Sequence, residues 1–124
     1  MSRTANISVK NTGSVATTFY YALGFYKNVG GSDCGVYAGS NAGDLVWEQT
    51  PAAWYYSMSP VQPGATETIT ISGLPDVSVS GVFGLLKVRT SASSASNTNC
   101  LDGAISNQVP TSLPLAQIMS FTIT

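Results

Sequence analysis

The chain contains no histidine, and only 9% of its 124 residues are charged, against roughly a quarter in an ordinary globular domain. Without histidine, the Ser-His-Asp and Cys-His catalytic arrangements are excluded, and no imidazole can complete a zinc site. The basic residues (Arg3, Lys10, Lys27, Lys87, Arg89) and the acidic ones (Asp33, Asp44, Glu48, Glu67, Asp76, Asp102) form no run. That argues against a nucleic-acid partner. No stretch approaches the roughly 20 apolar residues of a membrane helix, so membrane insertion is not expected. No apolar segment of the secretory type follows Met1-Ser2-Arg3-Thr4. The expectation is a leader already removed, or a protein that needs none, such as a virion component assembled inside a cell. Helical periodicity is missing as well: no long window keeps a 3.6-residue period free of Gly, Pro and β-branched clusters.

Serine, threonine, asparagine and glycine supply the polarity instead. A surface of hydroxyls and amides depends little on pH, which suits an extracellular, cell-surface or virion setting. The length fits a single domain over residues 1–124. Within it, period-2 alternation recurs. Ala5, Ile7 and Val9 alternate with polar residues in a first strand over 4–10. Asn11-Thr12-Gly13-Ser14 is turn chemistry, in which the Asn side chain bonds its own backbone two residues on and Gly13 supplies positive φ. A second strand over 16–27 presents Phe19, Tyr21, Leu23 and Phe25 on one face and Tyr20, Ala22, Gly24 and Tyr26 on the other. A loop over 28–44 carries Gly30, Gly31, Gly35, Gly39 and Gly43, with Val36-Tyr37-Ala38 as an apolar island. Short strands are predicted at 45–48 and 53–58. Ile69 and Ile71 face inward from a strand over 67–72. Val82, Leu86 and Val88 share one face of a strand over 82–90. Residues 91–99 read as a polar surface loop, and Val109–Pro114 resists regular pairing. A closing strand over 116–124 places Met119, Phe121 and Ile123 on the core face. About seven strands at this spacing predict an all-β fold, an antiparallel β-sandwich.

The stretch "ISVKNTGSVATTFYYALGFYKN" resembles the opening of the CARDB group of immunoglobulin-like domains of bacterial and archaeal surface proteins. Val9, Asn11 and Gly13 meet that group's V-x-N-x-G turn, "SPVQPGATETITIS" with Pro63 and Gly64 is similar to its Pro/Gly connection and Thr-rich strand, and "IMSFTIT" stands where its closing strand would. The resemblance implies an immunoglobulin-like sandwich serving adhesion, spacing or assembly, without catalysis. Two departures stand beside it: the group usually has a strand before the first one here, and the polar insertion around 91–114 is atypical.

Cys34 and Cys100 both sit beside turn-forming residues, too far apart in sequence for a metal knuckle. Two readings are open, a disulfide and a pair of partly buried thiols; the disulfide is the expectation carried forward. It would tie the Gly-rich loop to the Ser-rich loop and imply an oxidising compartment or a protected particle. Asn6-Ile7-Ser8 matches a glycosylation sequon, but a mid-strand asparagine is a poor acceptor. Asp44 and Glu48, four apart, read as solvated acids rather than a hydrolase pair or calcium ligands. Asp33, Asp44 and Asp102 lack calcium-loop spacing, and "GGSDCG" lacks the lysine and flanking elements of a phosphate loop. No catalytic residue, metal or cofactor is expected.

The aromatics are the stronger signal. "PAAWYYSM" sets Trp54, Tyr55 and Tyr56 in a row near Trp47. They suit ordinary edge packing, a subunit contact or a sugar-stacking platform. Tyr20, Tyr26, Phe83 and Leu85 lie opposite the predicted core phase, and with Trp54 and Tyr55 they form the candidate interface. The functional expectation is a non-enzymatic structural module that contacts copies of itself or a scaffold or capsid protein. The alternative is a carbohydrate-binding module that uses exposed Trp and Tyr to hold glycans.

Overall fold

The structure, a computed structural model, describes residues 3–39, 41, 43–76, 82–93, 99–106 and 116–123. Among these the chain forms eight strands and no α-helix: β1 (Arg3–Asn11), β2 (Tyr20–Lys27), β3 (Leu45–Glu48), β4 (Tyr55–Tyr56), β5 (Thr66–Leu74), β6 (Val82–Arg89), β7 (Cys100–Ile105) and β8 (Ala116–Ile123). They build two antiparallel sheets, one in the order β5-β1-β8 and one in the order β3-β2-β6-β7. Strands β3 and β4 lie in succession along the same edge of β2. Strands β1, β5 and β8 lie in one sheet and β2, β3, β4, β6 and β7 in the other, so the chain passes between the sheets after β1, β4, β5 and β7. The apolar phase of each strand therefore meets that of the opposite sheet, the arrangement of a two-layer sandwich.

The core follows the alternation closely. Ile7, Val9, Phe19, Tyr21, Leu23, Phe25, Ile69, Leu86, Val88 and Phe121 are buried in one cluster, with Ile71, Val82 and Ile123 half-buried against it. Phe19 precedes β2 in this structure, and Thr17 is held by a single bridge to Val61. Asn6, the sequon asparagine, sits mid-strand between β5 and β8, where its side-chain oxygen accepts the Thr70 hydroxyl at 3.2 Å.

The closing strand departs from the expected phase. Ile118 is buried and Met119 is 48% exposed, because the β1–β8 register slips between Ser8↔Ser120 and Val9↔Ile118. One extra residue on β8 makes a bulge, and a bulge reverses the facing of everything before it. The Ile118 N–H donates to Asp102 Oδ2 at 2.8 Å across the gap between the sheets. The other carboxylate oxygen takes the Gly103 N–H at 2.9 Å. Asp102 is thus a buried clasp between β7 and the bulge of β8. Burial pushes its carboxyl pKa up, the two backbone N–H groups oppose that shift, and the nearby Asp33 adds to it.

Asn11, 2% exposed, fastens a second corner. Its side-chain amide donates to the carbonyls of Val15 at 2.9 Å and Val61 at 2.8 Å, and its side-chain oxygen accepts the Gly13 N–H at 2.9 Å. The left-handed residue here is Gly64, at φ 81°, whose N–H bonds the Asn11 carbonyl; Gly13 does not take positive φ. Asn11→Ala strands three polar groups in or near the core, each costing about 1 kcal/mol or more. We expect a loss of roughly 2–4 kcal/mol in urea denaturation; a loss below about 0.5 kcal/mol would mean that water replaces the amide.

The edge of the five-stranded sheet is broken by proline. Pro51 opens a short 3-10 turn over Pro51–Ala53 that lifts the chain away from β2 between Glu48 and Tyr55. Proline has no N–H to add to the ladder, so the predicted 53–58 strand shrinks to Tyr55–Tyr56. Trp54 tucks in behind the detour, 6% exposed.

Candidate functional site

The two outer faces of the sandwich differ in chemistry. On the three-stranded sheet, Asn6, Ser8 and Lys10 of β1 stand opposite Thr70, Thr68 and Thr66 of β5. Ser120 and Thr122 of β8 complete a face of hydroxyls and amides, tied by a Ser8–Thr68 hydroxyl bond of 2.9 Å. On the five-stranded sheet, Tyr26 stands directly between Phe83 of β6 and Leu45 of β3. Phe83 is 41% and Leu45 51% exposed. At the other end of the sheet Tyr20 stacks on Tyr56 of β4, ring centroids 5.6 Å apart, beside Arg89. Tyr20, Tyr26 and Phe83 therefore do share the outer face that the alternation assigns them.

Other candidate interface residues lie elsewhere. Leu85 is on the same face but is buried, with Val36 and Ile105, in a second small cluster joined by Tyr26, Val29 and Ala38. The Gly-rich loop folds over this part of the sheet, so the protein's own chain covers Leu85. Trp54 is buried: its indole N–H donates to the Gln49 carbonyl at 3.2 Å, and the Arg89 guanidinium lies over its ring at 5.9 Å. Trp47 packs on the core side against Phe25. Neither tryptophan offers an open ring face for sugar stacking. Tyr55 pairs with Tyr21, which points into the core, so it lines the rim of the inner face rather than the outer one. Leu45, Tyr56 and Tyr37 take the places that the sequence reading gave to these three.

The loop is held down by the disulfide between Cys34 and Cys100, with Cα atoms 6.0 Å apart. Cys34 lies in the Asp33–Gly35 turn and Cys100 opens β7, so the bridge seats the loop on the β7 edge. A bridge between Tyr37 and Gly30 closes the loop on itself. Gly103 makes the close approach possible, because a Cβ there would come 2.8 Å from Val36 and collide with the Asp33 carbonyl.

Beside the loop runs a groove of about 350 Å³, floored by Ala22, Gly24, Leu85 and Lys87 and walled by Tyr37 and Ala38 on one side and Glu48, Gln49 and Trp54 on the other. The Tyr26 ring folds over Gly24, where any side chain would strike it. Its hydroxyl donates to Glu48 at 2.8 Å. Burial, then this bond, push the phenol pKa well above the ordinary range. Lys87 and Arg89 occupy alternate outer positions of β6. Desolvation, then the neighbouring guanidinium, lower the ammonium pKa of Lys87.

The carboxylates considered from sequence are engaged separately. Asp44 is buried and accepts the Asn28 amide at 2.9 Å, whereas Glu48 is bonded to Tyr26. Among the described residues, no three His, Cys, Asp or Glu side chains are grouped to hold a metal ion. No helix among them is long and apolar enough to cross a membrane. Searches of family models, of curated proteins and of solved structures find no match to this chain.

Proposed function

We propose that the chain is a non-enzymatic, immunoglobulin-like structural module of a virion or cell-surface assembly, and that the outer face of its five-stranded sheet packs against copies of itself or a scaffold protein. The observation that carries this reading is the Leu45–Tyr26–Phe83 row, three side by side on neighbouring strands with the outer two widely exposed. A contiguous apolar strip on one face, set against a hydroxyl-and-amide face on the other, marks a contact surface better than scattered exposed residues do. The low charge content supports it, since few ions need be stripped of water on association. The disulfide fits an oxidising setting.

The double variant Leu45→Glu/Phe83→Glu places two charges in the strip without touching the core. Purified parent protein is expected to sediment as an oligomer and the double variant as a folded monomer. An oligomer that survives both substitutions would remove this face from the interface. A parent that stays monomeric at millimolar concentration would remove self-association.

A further inference from the structure

We propose that the Cys34–Cys100 disulfide is a redox latch. A dithiol reductant opens it, the arm of the Gly-rich loop over residues 29–38 lifts off the five-stranded sheet, and Leu85 and Ile105 join the exposed apolar strip. The effect on association rests on the assembly reading; the release of the arm does not.

The arm is a layer added outside the sandwich. Val36, Leu85 and Ile105 form a small cluster of their own, separate from the core cluster between the sheets. Val36 is the one buried residue among residues 30–38. The arm also carries its own shape. Gly30 and Tyr37 exchange two backbone bonds of 3.1 and 2.9 Å, and the Gly35 and Val36 N–H groups donate to the carbonyls of Ser32 and Asp33. It can therefore move as a unit without losing its turns.

The neck of the loop is pinned elsewhere. The Lys27 N–H donates to the Asp44 carbonyl at 2.7 Å, and the Gly39 N–H to the Lys27 carbonyl at 3.4 Å. The Asn28 side chain bonds Asp44 as well. Beyond that neck, Gly31 at φ 81° and Gly39 flank the arm and supply pivots. The arm meets the sheet through the Val36 seat and the disulfide. Ordering a glycine-rich segment costs much conformational entropy, and one buried aliphatic side chain returns little of it. The bridge offsets that cost by holding Cys34 at the start of β7.

Both cysteines are half-buried, so a small dithiol reaches the bridge. One thiolate of the dithiol attacks a bridge sulfur, forming a mixed disulfide as the other cysteine leaves. The second thiolate of the reductant then displaces the bound cysteine and closes a cyclic disulfide. The protein gains two electrons and two protons as the thiols of Cys34 and Cys100, and the dithiol loses the same.

What the arm covers adjoins the strip. Leu85 lies two residues from Phe83 on the same face of β6 and pairs with Ile105 of β7. Tyr26 belongs both to the Leu45–Tyr26–Phe83 row and to the cluster beneath the arm. Lifting the arm joins the two into one apolar surface running from Leu45 to Ile105, and a larger contiguous patch makes a stronger contact surface.

The test compares oxidised protein with protein reduced by dithiothreitol, using backbone amide NMR and binding of an apolar dye. It is run on the monomeric Leu45→Glu/Phe83→Glu variant and on dilute parent. Reduction is expected to move the amide signals of residues 30–38 to positions of unstructured chain, leave those of β1, β2, β5 and β6 in place, and raise dye binding. The Cys34→Ser/Cys100→Ser variant should match the reduced protein without dithiothreitol. In sedimentation, the reduced parent should associate at least about tenfold more tightly than the oxidised parent, a modest demand on two newly available aliphatic side chains. Unmoved signals over 30–38 after complete reduction would overturn the latch. So would collapse of the whole spectrum, which would make the bridge a support of the sandwich itself. Released arms with equal or weaker association would overturn the control of assembly. A parent monomeric in both states would remove the assembly reading, with the latch decided by the NMR comparison alone.

Discussion

Replacing Cys34 and Cys100 together by serine is expected to lower the stability of the protein by about 4 kcal/mol. The bridge joins residues 66 apart in sequence. In the chain-entropy model, opening so long a loop restores much freedom to the unfolded chain. The folded state loses as well, because the bridge seats the loop that carries Val36 onto Leu85 and Ile105. Urea denaturation of the double serine variant against the oxidised parent measures the sum. A midpoint shift equivalent to less than about 1 kcal/mol would mean that packing alone holds the loop and the unfolded chain is already compact. The unreduced parent, denatured, should show no free thiol.

The second large effect is expected in β8, where two neighbouring apolar residues should respond in opposite ways. Phe121, 1% exposed, packs over Gly84, where a Cβ would come within 2.9 Å of the ring. Phe121→Ala should cost roughly 3–5 kcal/mol, the range for a truncated buried aromatic. Met119→Ala should cost less than about 0.5 kcal/mol, because its side chain lies in solvent. Comparable losses at both positions would place Met119 in the core and remove the bulge. The pair therefore measures the strand phase as well as the packing.

That contrast shows how much of the fold the sequence made legible. Alternation alone assigns the faces of β1, β2, β5 and β6 correctly, because Ala5–Lys10 pairs with Thr66–Ile71, and Tyr20–Lys27 with Val82–Arg89, without a register shift, and the side-chain period of a strand is fixed. It fails at β8, since a bulge is a two-against-one pairing that depends on the partner strand. It misses β7 altogether. Asp102-Gly103 reads as turn chemistry, and only the assembled structure shows why they stand mid-strand: the carboxylate catches the Ile118 N–H, and the bare glycine lets the Asp33–Gly35 turn approach.

The candidate site was legible to a similar degree. Tyr20, Tyr26 and Phe83 follow from strand phase alone, whereas the sequence leaves Cys34 and Cys100 open between a disulfide and two thiols, and only the 6.0 Å Cα approach of the folded chain shows the bridge. Leu85 had the right phase and the wrong surroundings, because what covers a sheet face is a tertiary fact. Trp54 was expected on a strand. The proline that precedes it by three residues is the signal that strand pairing stops there. The groove draws its lining from β2, β3, β6, the loop and the edge detour, so no single stretch of sequence announces it.

The most direct test of the account is photo-crosslinking from the two outer faces. A photoreactive phenylalanine analogue at position 83 probes the aromatic face, and the same analogue at position 68 probes the hydroxyl face. The account predicts covalent dimers of this chain, or adducts with its scaffold in the native assembly, from position 83 and none from position 68. Crosslinking from position 68, or from both positions equally, would contradict it.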